Sequence, residues 1–566
     1  MRKTLLPLGL LLAATGFSTS AAAALTEVPA GDIAGTVTWC DDEDTMLLQG
    51  AVTVTGSLTI NAGCIVRGQP RDLPFGSPDP GAPGSLQIYQ GGTITAIGTS
   101  SDPIIFTTAA VDTNDDGQPD LAVSGLPRKW VIGDGEGNFL DDTPKTNPLA
   151  PLDTAGNANV RLWGGITIAG FAPINLADVG FGDGVAQIEG TAAQLYGGTD
   201  PNDDSGDLQY LSVRHAGDEI GDGNELNGIT FGGIGDGTTC DHIEIYLNQD
   251  DGVEYFGGTV ECSNILVAYV GDDALDVDQG YTGTIQNAIS LSAFFKNEDN
   301  TDFGSGGSGD NGGEWDGDDG TTYVGAPVSD VSFCNVTMLG NVSSEPGHTN
   351  PALFPASANR GITMRNGFGG ALANSIVLNT TSDGIRIIAG GITPPCSGVP
   401  TAGDGVCGAN CGVVGGDELI EVVSSTFSDV AAVGSCVDEA FLNGDDRGAG
   451  ANLETAAEQL LNENPYWDPK GTLSGGRGKL MGTLGTPINP RAITVANDGI
   501  APTDVGCPDG TATYRGATDA GASDPLFTDG WTAMSVGGVL PEPGAAPALG
   551  AGILVLWGLA RRRARF

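Results

Sequence analysis

The chain has 566 residues, of which 91 are glycine, and 71 acidic side chains stand against 23 basic ones. The glycine content is about twice the usual share, which excludes coiled coils and long helices, while 40% hydrophobic residues argue against wholesale disorder. A formal net charge of −48 argues against nucleic acid as a partner and favours divalent cations as counterions.

The amino terminus has the three parts of a secretory signal. Met1-Arg2-Lys3 is followed by an apolar stretch over residues 5–14 and by small residues that end in Ala22-Ala23-Ala24. This order predicts a signal peptide over residues 1–24, cleaved before Leu25.

The carboxyl-terminal tail, residues 536–566, also has three parts. Leu540-Pro541-Glu542-Pro543 precedes an apolar segment over residues 545–560, and an arginine-rich hexapeptide ends the chain. This order resembles a PEP-CTERM sorting signal. The resemblance implies an exosortase-type sorting enzyme as a partner, transient membrane contact through the apolar segment, and a location at the cell surface or in the extracellular matrix of a Gram-negative bacterium. An ordinary tail anchor is the alternative, but 16 residues are fewer than the roughly 20 that a stable span needs.

The ten cysteines fit an exported protein. An even number in an oxidising compartment predicts disulfides instead of metal thiolates. Cys396, Cys407 and Cys411 lie in a Gly-rich loop without a nearby histidine, so zinc is not expected there.

Short alternating segments separated by Gly, Asn or Pro run from residue 51 to residue 106, and they favour a parallel coil over a meander. The clearest repeat follows. Cys240-Asp241-His242-Ile243 recurs 22 residues later as Cys262-Ser263-Asn264-Ile265, and Asp250-Asp251 recurs at the same distance as Asp272-Asp273. A unit of this size cannot bury its apolar face alone, so stacking on its neighbours is expected.

We therefore predict an all-β chain folded as a right-handed parallel β-helix over residues 25–390, with loop insertions. Asn264, Asn287, Asn335 and Asn374 are expected to form an internal ladder from rung to rung. Cys240 and Cys262 fall on adjacent rungs, where they form either a disulfide or an unbonded thiol stack.

Residues 391–535 break the rhythm and are expected to form a Cys-rich cap or side layer on the last coils. An apolar stripe predicts a short helix there; its members are Leu453, Ala456, Ala457, Leu460 and Leu461.

Several stretches are similar to a widespread group of secreted bacterial β-helix proteins, usually left as uncharacterised lipoproteins or surface proteins. They include SLTINAGCIVRG, RLWGGITIAG, DDGVEYFGGTVECSNILVAYVGDDALDVDQG and a late TDGWTAM. The resemblance implies the fold and supplies no reaction.

One acidic loop has the pattern of a calcium site. Oxygen-bearing side chains occupy loop positions 1, 3, 5 and 9, namely Asp112, Asn114, Asp116 and Asp120, with glycine at position 6. The loop resembles those of EF-hands and dockerins, but Val123 replaces the bidentate glutamate. A bound Ca²⁺ of reduced affinity is expected, and a bare acidic turn is the alternative.

The repeat itself predicts a second acidic group. Asp250, Asp251 and Glu254 should lie beside Asp272, Asp273, Asp276 and Asp278 on the next rung. Further carboxylates are expected on the preceding turns; these are Asp218, Glu219, Asp222 and Glu225. Carboxylates stacked at rung spacing must bind a cation, share protons or face open water. We expect Ca²⁺ at Asp250, Asp251, Asp272 and Asp273.

Catalysis is the competing hypothesis. Gly271-Asp272-Asp273 resembles the paired aspartates of polygalacturonases, although their Gly-His-Gly element and the lysine after Arg386 are missing. An enzyme would use Asp272, Asp273 and Asp276, with Arg214 or Arg386 as helper; Arg365 is also available, and each arginine could instead be a structural ion-pair partner. His215 and His242 are expected to be structural. One group of aromatic residues either binds sugar rings at the surface or packs in the core; its members are Tyr246, Tyr255, Phe256, Tyr269 and Tyr281.

Two functions remain. The first is a non-enzymatic exported surface or matrix protein, stiffened by Ca²⁺ and acting in adhesion or association with extracellular polysaccharide. The second is a polysaccharide lyase or glycoside hydrolase that acts on acidic polysaccharide.

Overall fold

A computed structural model describes most of the predicted β-helix and part of the region that follows it. The described residues are 25–41, 45–71, 82–111, 159–221, 224–292, 311–317, 326–340 and 360–387, short strands between 413 and 492, and 501–519 and 526–540, less small gaps at 178, 192, 367, 379, 381–383 and 537–539. The predicted signal peptide, the calcium loop of Asp112, Asn114, Asp116 and Asp120, the Cys-rich loop and the tail beyond residue 540 lie outside the described residues.

Within these residues, 25 strands form one sheet in which every pairing is parallel. The first nine are β1 (Leu25–Ile33), β2 (Thr36–Trp39), β3 (Thr45–Val54), β4 (Ser57–Ile60), β5 (Ile65–Gly68), β6 (Ser85–Ile88), β7 (Thr93–Ile97), β8 (Ile104–Thr108) and β9 (Ile166–Ala169). The middle of the sheet consists of β12 (Gly206–Arg214), β15 (Ile229–Gly232), β16 (Thr239–Tyr246), β17 (Val253–Phe256), β18 (Glu261–Ala268), β19 (Leu275–Asp278), β20 (Thr284–Leu291), β21 (Asn311–Asp316) and β22 (Val331–Leu339). The last strands are β23 (Arg360–Arg365), β24 (Gly370–Ala373), β25 (Ile376–Leu378), β26 (Ile385–Ile387), β29 (Ile420–Val423), β30 (Thr426–Ser428) and β31 (Leu453–Thr455).

The other described strands form antiparallel pairs outside this sheet. They are β10 (Ala186–Gln187) with β11 (Leu195–Tyr196), β13 (Glu219–Gly221) with β14 (Asn224–Glu225), β27 (Val413–Val414) with β28 (Asp417–Glu418), β32 (Leu460–Asn462) with β35 (Asn489–Ala492), and β33 (Tyr466–Asp468) with β34 (Lys479–Met481).

Each strand of the central coils pairs with the strand one winding later. Cys240 on β16 lies opposite Cys262 on β18, and Val253 on β17 lies opposite Leu275 on β19, so both pairings keep the 22-residue period. The predicted parallel β-helix is therefore confirmed. Successive windings stack at the usual strand separation of about 4.8 Å.

Inward-facing side chains form one continuous core. Phe231, Tyr255 and Tyr281 stack through it, with ring centroids 5.4 and 4.8 Å apart, and all three are buried. Tyr246, Phe256 and Tyr269 are buried too. The tyrosines thus pack between rungs and offer no ring face to a sugar.

A column of residues with positive φ marks one corner of the coils. Its members are Tyr210, His242, Asn264, Asn287, Asn335 and Asn374, with φ between 50° and 60°. Asparagine tolerates this left-handed conformation better than most residues, which explains its recurrence here.

The expectation of an internal asparagine ladder is wrong in its position and in most of its bonds. Asn264 and Asn287 are half-buried and share a long contact of 3.4 Å, whereas Asn335 donates to the carbonyl oxygens of Ala512 and Tyr514 at 3.0 and 2.7 Å. The left-handed corner turns these side chains out of the core, toward the segment that covers it.

Disulfides link neighbouring coils and fasten the carboxyl-terminal region. Cys240 and Cys262 are bonded with their Cα atoms 4.7 Å apart, so of the two alternatives the disulfide is formed and the thiol stack is not. Cys40 is bonded to Cys64, and Cys334 is bonded to Cys507 across 173 residues of sequence.

Residues 501–519 and 526–540, which we call the strap, form a side layer along the coils. A 3-10 turn (Pro502–Val505) and helix α1 (Ala533–Val536) belong to it. The backbone N–H groups of Ala533 and Met534 donate to the carboxylate of Glu244 at 2.7 and 3.2 Å. The strap therefore reaches back to β16, well before the last coils.

The helix expected from the apolar stripe near Leu453 is wrong at the described positions, because Leu453 lies in β31 and Leu460 and Leu461 lie in β32. Ala456 and Ala457 lie outside the described residues. β31 pairs in parallel with β30, so strand pairing overrides a helical spacing that is only a weak local preference. Among the described residues no helix is long and apolar enough to span a membrane.

Candidate functional site: an acidic lateral face

One outward column of side chains crosses several coils in strict register. It runs Thr230, Glu254, Asp276, Glu314, Thr363 and Arg386, on β15, β17, β19, β21, β23 and β26. Their neighbours in each strand, such as Val253 and Tyr255, point into the core. Period-two alternation therefore places three carboxylates one above another on the outside of the sheet.

The corner that precedes these strands carries more carboxylates. Asp250 and Asp251 precede β17, and Asp272 and Asp273 precede β19. We call the acidic face the set of Asp250, Asp251, Glu254, Asp272, Asp273, Asp276 and Glu314. Asp272, Asp276 and Glu314 are half-buried, while the others are buried.

A ladder of side-chain oxygens builds this corner. The backbone N–H of Asp251 donates to Asn227 Oδ1 at 3.2 Å, that of Asp273 donates to Asp251 Oδ1 at 2.8 Å, and that of Asn311 donates to Asp273 Oδ1 at 2.7 Å. Each oxygen satisfies the next winding's amide. Asp251 and Asp273 therefore hold the coils in register with one oxygen each.

Two groups of three carboxylates have the spacing of a metal site. In Asp250, Asp251 and Asp272, and again in Asp251, Glu254 and Asp276, one oxygen from each residue lies within 4.8 Å of the others. Asp251 belongs to both groups. Of the predicted ligands, Asp250, Asp251 and Asp272 are brought together, whereas Asp273 is in neither group; Glu254 and Asp276 join from the lateral strands.

Ionisation of this face is costly. Burial, followed by the charges of Glu225 and Asp272, raises the pKa of Asp250 well above its usual value. Burial and the charge of Asp276 do the same to the pKa of Glu254, and burial and the charge of Asp251 to the pKa of Asp276. The Asn227 side-chain amide donates to the Glu254 carboxylate and partly offsets this cost. Bound protons or a cation would lower this cost.

Arginines compensate the carboxylates that flank this middle section. Asp218 is buried between Arg71 and Arg161, at N–O distances of 2.7 and 3.2 Å. At the other end, Arg365 contacts Glu314 at 2.5 Å and both oxygens of Asp316 at 2.8 Å. None of the ion pairs in the described part of the chain involves Asp250, Asp251, Glu254 or Asp276.

Arg365 is held too firmly as a cation to act as a base. Its side chain is 37% exposed. Although burial lowers the pKa of Arg365, the charges of Asp316 and Glu314 raise it above its already high usual value. Its position instead suits pairing with carboxylates.

The other predicted helper arginines are less well placed. Arg214 is fully buried, and its Nε donates to Ser212 Oγ at 2.7 Å. Its charge also favours the ionised form of the buried Glu244 carboxylate, so its observed contacts are those of a structural partner. Arg386 lies in the outward column, but three rungs from Asp276, which is about 14 Å.

The histidines also have structural surroundings. His215 is buried with Nδ1 2.6 Å from the Asn159 carbonyl oxygen, and His242 Nδ1 lies 2.7 Å from Asp241 Oδ2. The expectation that both are structural agrees with these contacts.

An insertion between β9 and β12 forms one wall beside the acidic face. We call residues 171–198 the side hairpin; it contains β10 and β11. Its Gln194 accepts a hydrogen bond from Thr167, and its Tyr196 hydroxyl donates to Gln279 Oε1 at 2.8 Å. Glu189 of the hairpin adds a negative charge near Asp250 and Glu254.

Sequence reasoning missed four contributors to this site: Asn227, Glu189, Glu314 and Asp316. Insertions of irregular length before β12 and β21 hide the register of Glu189, Glu314 and Asp316. The alternation Glu314-Trp315-Asp316 is the usable signal in the sequence, because it has the polar-apolar-polar pattern of Asp276-Val277-Asp278.

Comparisons with known proteins agree with the architecture. A family model described as a pectate-lyase like beta helix domain matches residues 145–390, which is less than half of the chain. Comparison with curated protein sequences gave no match.

Two solved structures are similar at low identity. The enzymatically active domain of bacteriophage CBA120 tailspike protein 2 is 12% identical over 72% of this chain and 40% of its own, with a TM-score of 0.22. Full-length tailspike protein 2 from an Escherichia coli O157:H7 bacteriophage is 11% identical over 77% and 48%, with a TM-score of 0.20. The chain thus spans less than half the length of either, and these likenesses add nothing to the architecture that strand pairing establishes.

Proposed function

We propose that this protein is an exported, non-enzymatic β-helix that binds divalent cations, foremost Ca²⁺, on its acidic face and associates there with extracellular acidic polysaccharide. The observation that carries the proposal is the close approach of carboxylates on neighbouring rungs in the two triads. Four of them, Asp250, Asp251, Glu254 and Asp276, make no ion pair among the described residues, whereas arginines pair with Asp218 on one side and with Glu314 on the other.

The donor set supports a hard cation. Both triads consist of carboxylate oxygens alone, the ligands that Ca²⁺ and Mg²⁺ prefer. The two groups of three carboxylates, or triads, lie side by side because Asp251 belongs to both. A cation here would remove the repulsion between rungs, and its remaining coordination positions would be open to water or to an oxygen-rich ligand.

The accessible rim supports a polysaccharide ligand. Asp272 and Asp276 on one rung and Glu314 on the next are half-buried, so a chain-like ligand could contact both rungs. The match to a pectate-lyase like family model supports the same ligand class. A cation bridge would allow carboxylates of the ligand to approach a face that otherwise repels them.

Export remains part of the proposal. Disulfides such as Cys240–Cys262 and Cys334–Cys507 support an oxidising compartment. The signal peptide and the PEP-CTERM-like tail would then direct the chain to the cell surface or matrix through an exosortase-type enzyme. Immunodetection of the protein in cell fractions of the host, with and without its exosortase gene, tests this route; equal surface amounts in both would count against it.

Binding is tested with polygalacturonate and alginate, with and without 1 mM Ca²⁺. We expect Ca²⁺-dependent binding that is lost in Glu254→Gln/Asp276→Asn and kept in Asp236→Asn, whose carboxylate is exposed away from the acidic face. Equal binding in chelator would contradict the cation bridge, and no binding to either polymer would contradict the ligand class.

Catalysis is the second candidate, favoured by the register of Glu254 and Asp276. Two carboxyls about 5 Å apart, with a raised pKa on each, resemble the pair of a retaining glycosidase. The assay is release of unsaturated products or new reducing ends from acidic polysaccharides. Turnover that disappears in Asp272→Ala and Asp276→Ala would replace the binding function by an enzymatic one.

A further inference from the structure

The outward column of side chains changes its charge along the axis of the coils. Glu254 and Asp276 lie on adjacent rungs and make no ion pair in the described part of the chain. On the next rung Glu314 pairs with Arg365. Arg386 lies two rungs beyond Glu314 in the same column. The column therefore runs from uncompensated carboxylates, through an ion pair, to a cation.

Arg386 differs from the other arginines of this protein whose contacts are known. Ion pairs or hydrogen bonds hold six of them, namely Arg67, Arg71, Arg161, Arg214, Arg365 and Arg515. Arg386 makes neither kind of contact with the described residues, although its side chain is half-buried. Because 71 acidic side chains stand against 23 basic ones, a cation without a carboxylate partner is unusual in this chain. Its charge is available to an external anion.

The sheet fixes the position of Arg386. Its neighbour Ile385 lies opposite Ile362, and both are buried in the core, so strand alternation turns Arg386 outward. Arg365 lies one rung away and two residues further along the sheet, with about 8 Å between the two Cα atoms. The side chain of Arg365 is 37% exposed. Two cations therefore stand next to each other on the side of the sheet that carries the acidic face.

We propose that Arg386, supported by the charge of Arg365, binds a carboxylate of the acidic polysaccharide whose other carboxylates are bridged by Ca²⁺ at the acidic face. This inference rests on the proposed function and adds a second kind of contact to it. A guanidinium group binds a carboxylate through parallel N–H donors. Asp276 and Arg386 are three rungs apart, about 14 Å, so a ligand of several sugar units that follows the coil axis reaches both.

The order of charges favours a polyanion as the ligand. A neutral polymer would gain nothing from the charge of Arg386, and a polycation would be repelled by it. Bound Ca²⁺ would offset most of the negative charge of the two triads, and Glu314 already offsets Arg365. Arg386 would then be the charge in the column that still lacks a partner, and a ligand carboxylate supplies one.

The test measures the affinity of the Ca²⁺-loaded full chain for galacturonate and for octagalacturonate. Arg386→Gln should lower the affinity for octagalacturonate about fivefold and leave that for galacturonate unchanged, because a single sugar cannot span three rungs. Ca²⁺ binding without sugar should be equal in the variant and the wild type. Thr38→Glu is the matched control, since it changes the net charge by the same amount at an exposed position of β2, a strand outside the column.

The outcomes separate this contact from the function on which it rests. Equal binding of octagalacturonate by the wild type and Arg386→Gln, or a loss that Thr38→Glu reproduces, would overturn the arginine contact alone. An equal loss for galacturonate would overturn a ligand that spans the rungs. Absence of wild-type binding to octagalacturonate, polygalacturonate and alginate would overturn the proposed function and this contact with it. Dimerisation of the wild type that Arg386→Gln abolishes would assign Arg386 to a second copy of the chain instead.

Discussion

Replacing Asp276 by Asn should change the stability of the folded protein in opposite directions with and without Ca²⁺. Asp276 lies one rung from Glu254 and, on its other side, one rung from Glu314. Two unit charges about 5 Å apart repel by about 3 kcal/mol at an effective dielectric constant near 20. Arg365 already offsets Glu314, so relief of the Glu254 contact is the main gain.

Partial protonation reduces that gain, because the pKa of Asp276 is raised by burial and by the charge of Asp251. We therefore expect Asp276→Asn to raise the free energy of unfolding in chelator by about 1–3 kcal/mol. With Ca²⁺ at 100 times its Kd, the wild type should gain about 2.7 kcal/mol, and most of this gain should be missing in the variant.

Thermal melts at pH 8, recorded in EDTA and in Ca²⁺, measure the stability of each protein without the cation and the stability that the cation adds. Asp236→Asn is the matched control and should melt like the wild type in each buffer. A variant that is destabilised equally in both buffers would refute the reasoning, and so would a wild-type melt that Ca²⁺ leaves unchanged.

Three further predictions concern pH, the strap and the disulfides. The pKa values of Asp250 and Glu254 are raised in the folded protein, so the folded state binds their protons more tightly than the unfolded chain does. This stabilisation is fully present at a pH below the unfolded-state pKa and is lost as the pH rises through the folded-state pKa. In chelator the melting temperature should therefore fall from pH 5 to pH 8, and a melting temperature that does not change with pH would contradict this prediction. Glu244→Ala removes the carboxylate that faces the buried Arg214 and accepts hydrogen bonds from the strap, so it should lower the free energy of unfolding by about 3–5 kcal/mol and expose the strap to protease. Glu261→Ala, at the exposed end of β18, should do neither. Cleavage of the strap at the wild-type rate in Glu244→Ala would argue against Glu244 as its anchor. Loss of Cys240–Cys262 should cost about 3 kcal/mol and loss of Cys334–Cys507 about 5 kcal/mol, because the second closes a longer loop; denaturant titration of Cys→Ser pairs that gave the reverse order would contradict the loop-entropy argument.

The sequence predicted those features that repeat with a fixed period. Cys240 and Cys262 are 22 residues apart, as are Asp250 and Asp272, and stacking at that period sufficed to place both pairs on adjacent rungs. Position within the coil was harder to predict. The asparagine column was expected inside because its side chains recur regularly, but the left-handed backbone at Asn264 and Asn335 turns them outward.

Contacts across insertions could not be predicted. Glu314 follows a long insertion, and Glu189 lies on a hairpin whose docking depends on tertiary contacts of Tyr196 and Asn175. The sequence predicted a cap or side layer on the last coils, but it did not predict that the strap reaches β16, because Glu244 and Ala533 are 289 residues apart and no periodic pattern relates them. The stripe near Leu453 misled for a related reason, since pairing with β30 decided its conformation.

The most direct measurement is a crystal structure of the purified chain grown with Mn²⁺ in place of Ca²⁺ and recorded at the manganese absorption edge. We expect anomalous density among Asp250, Asp251 and Asp272, among Asp251, Glu254 and Asp276, or at both positions. Density confined to other parts of the chain, with these carboxylates contacting water alone at millimolar metal, would contradict it.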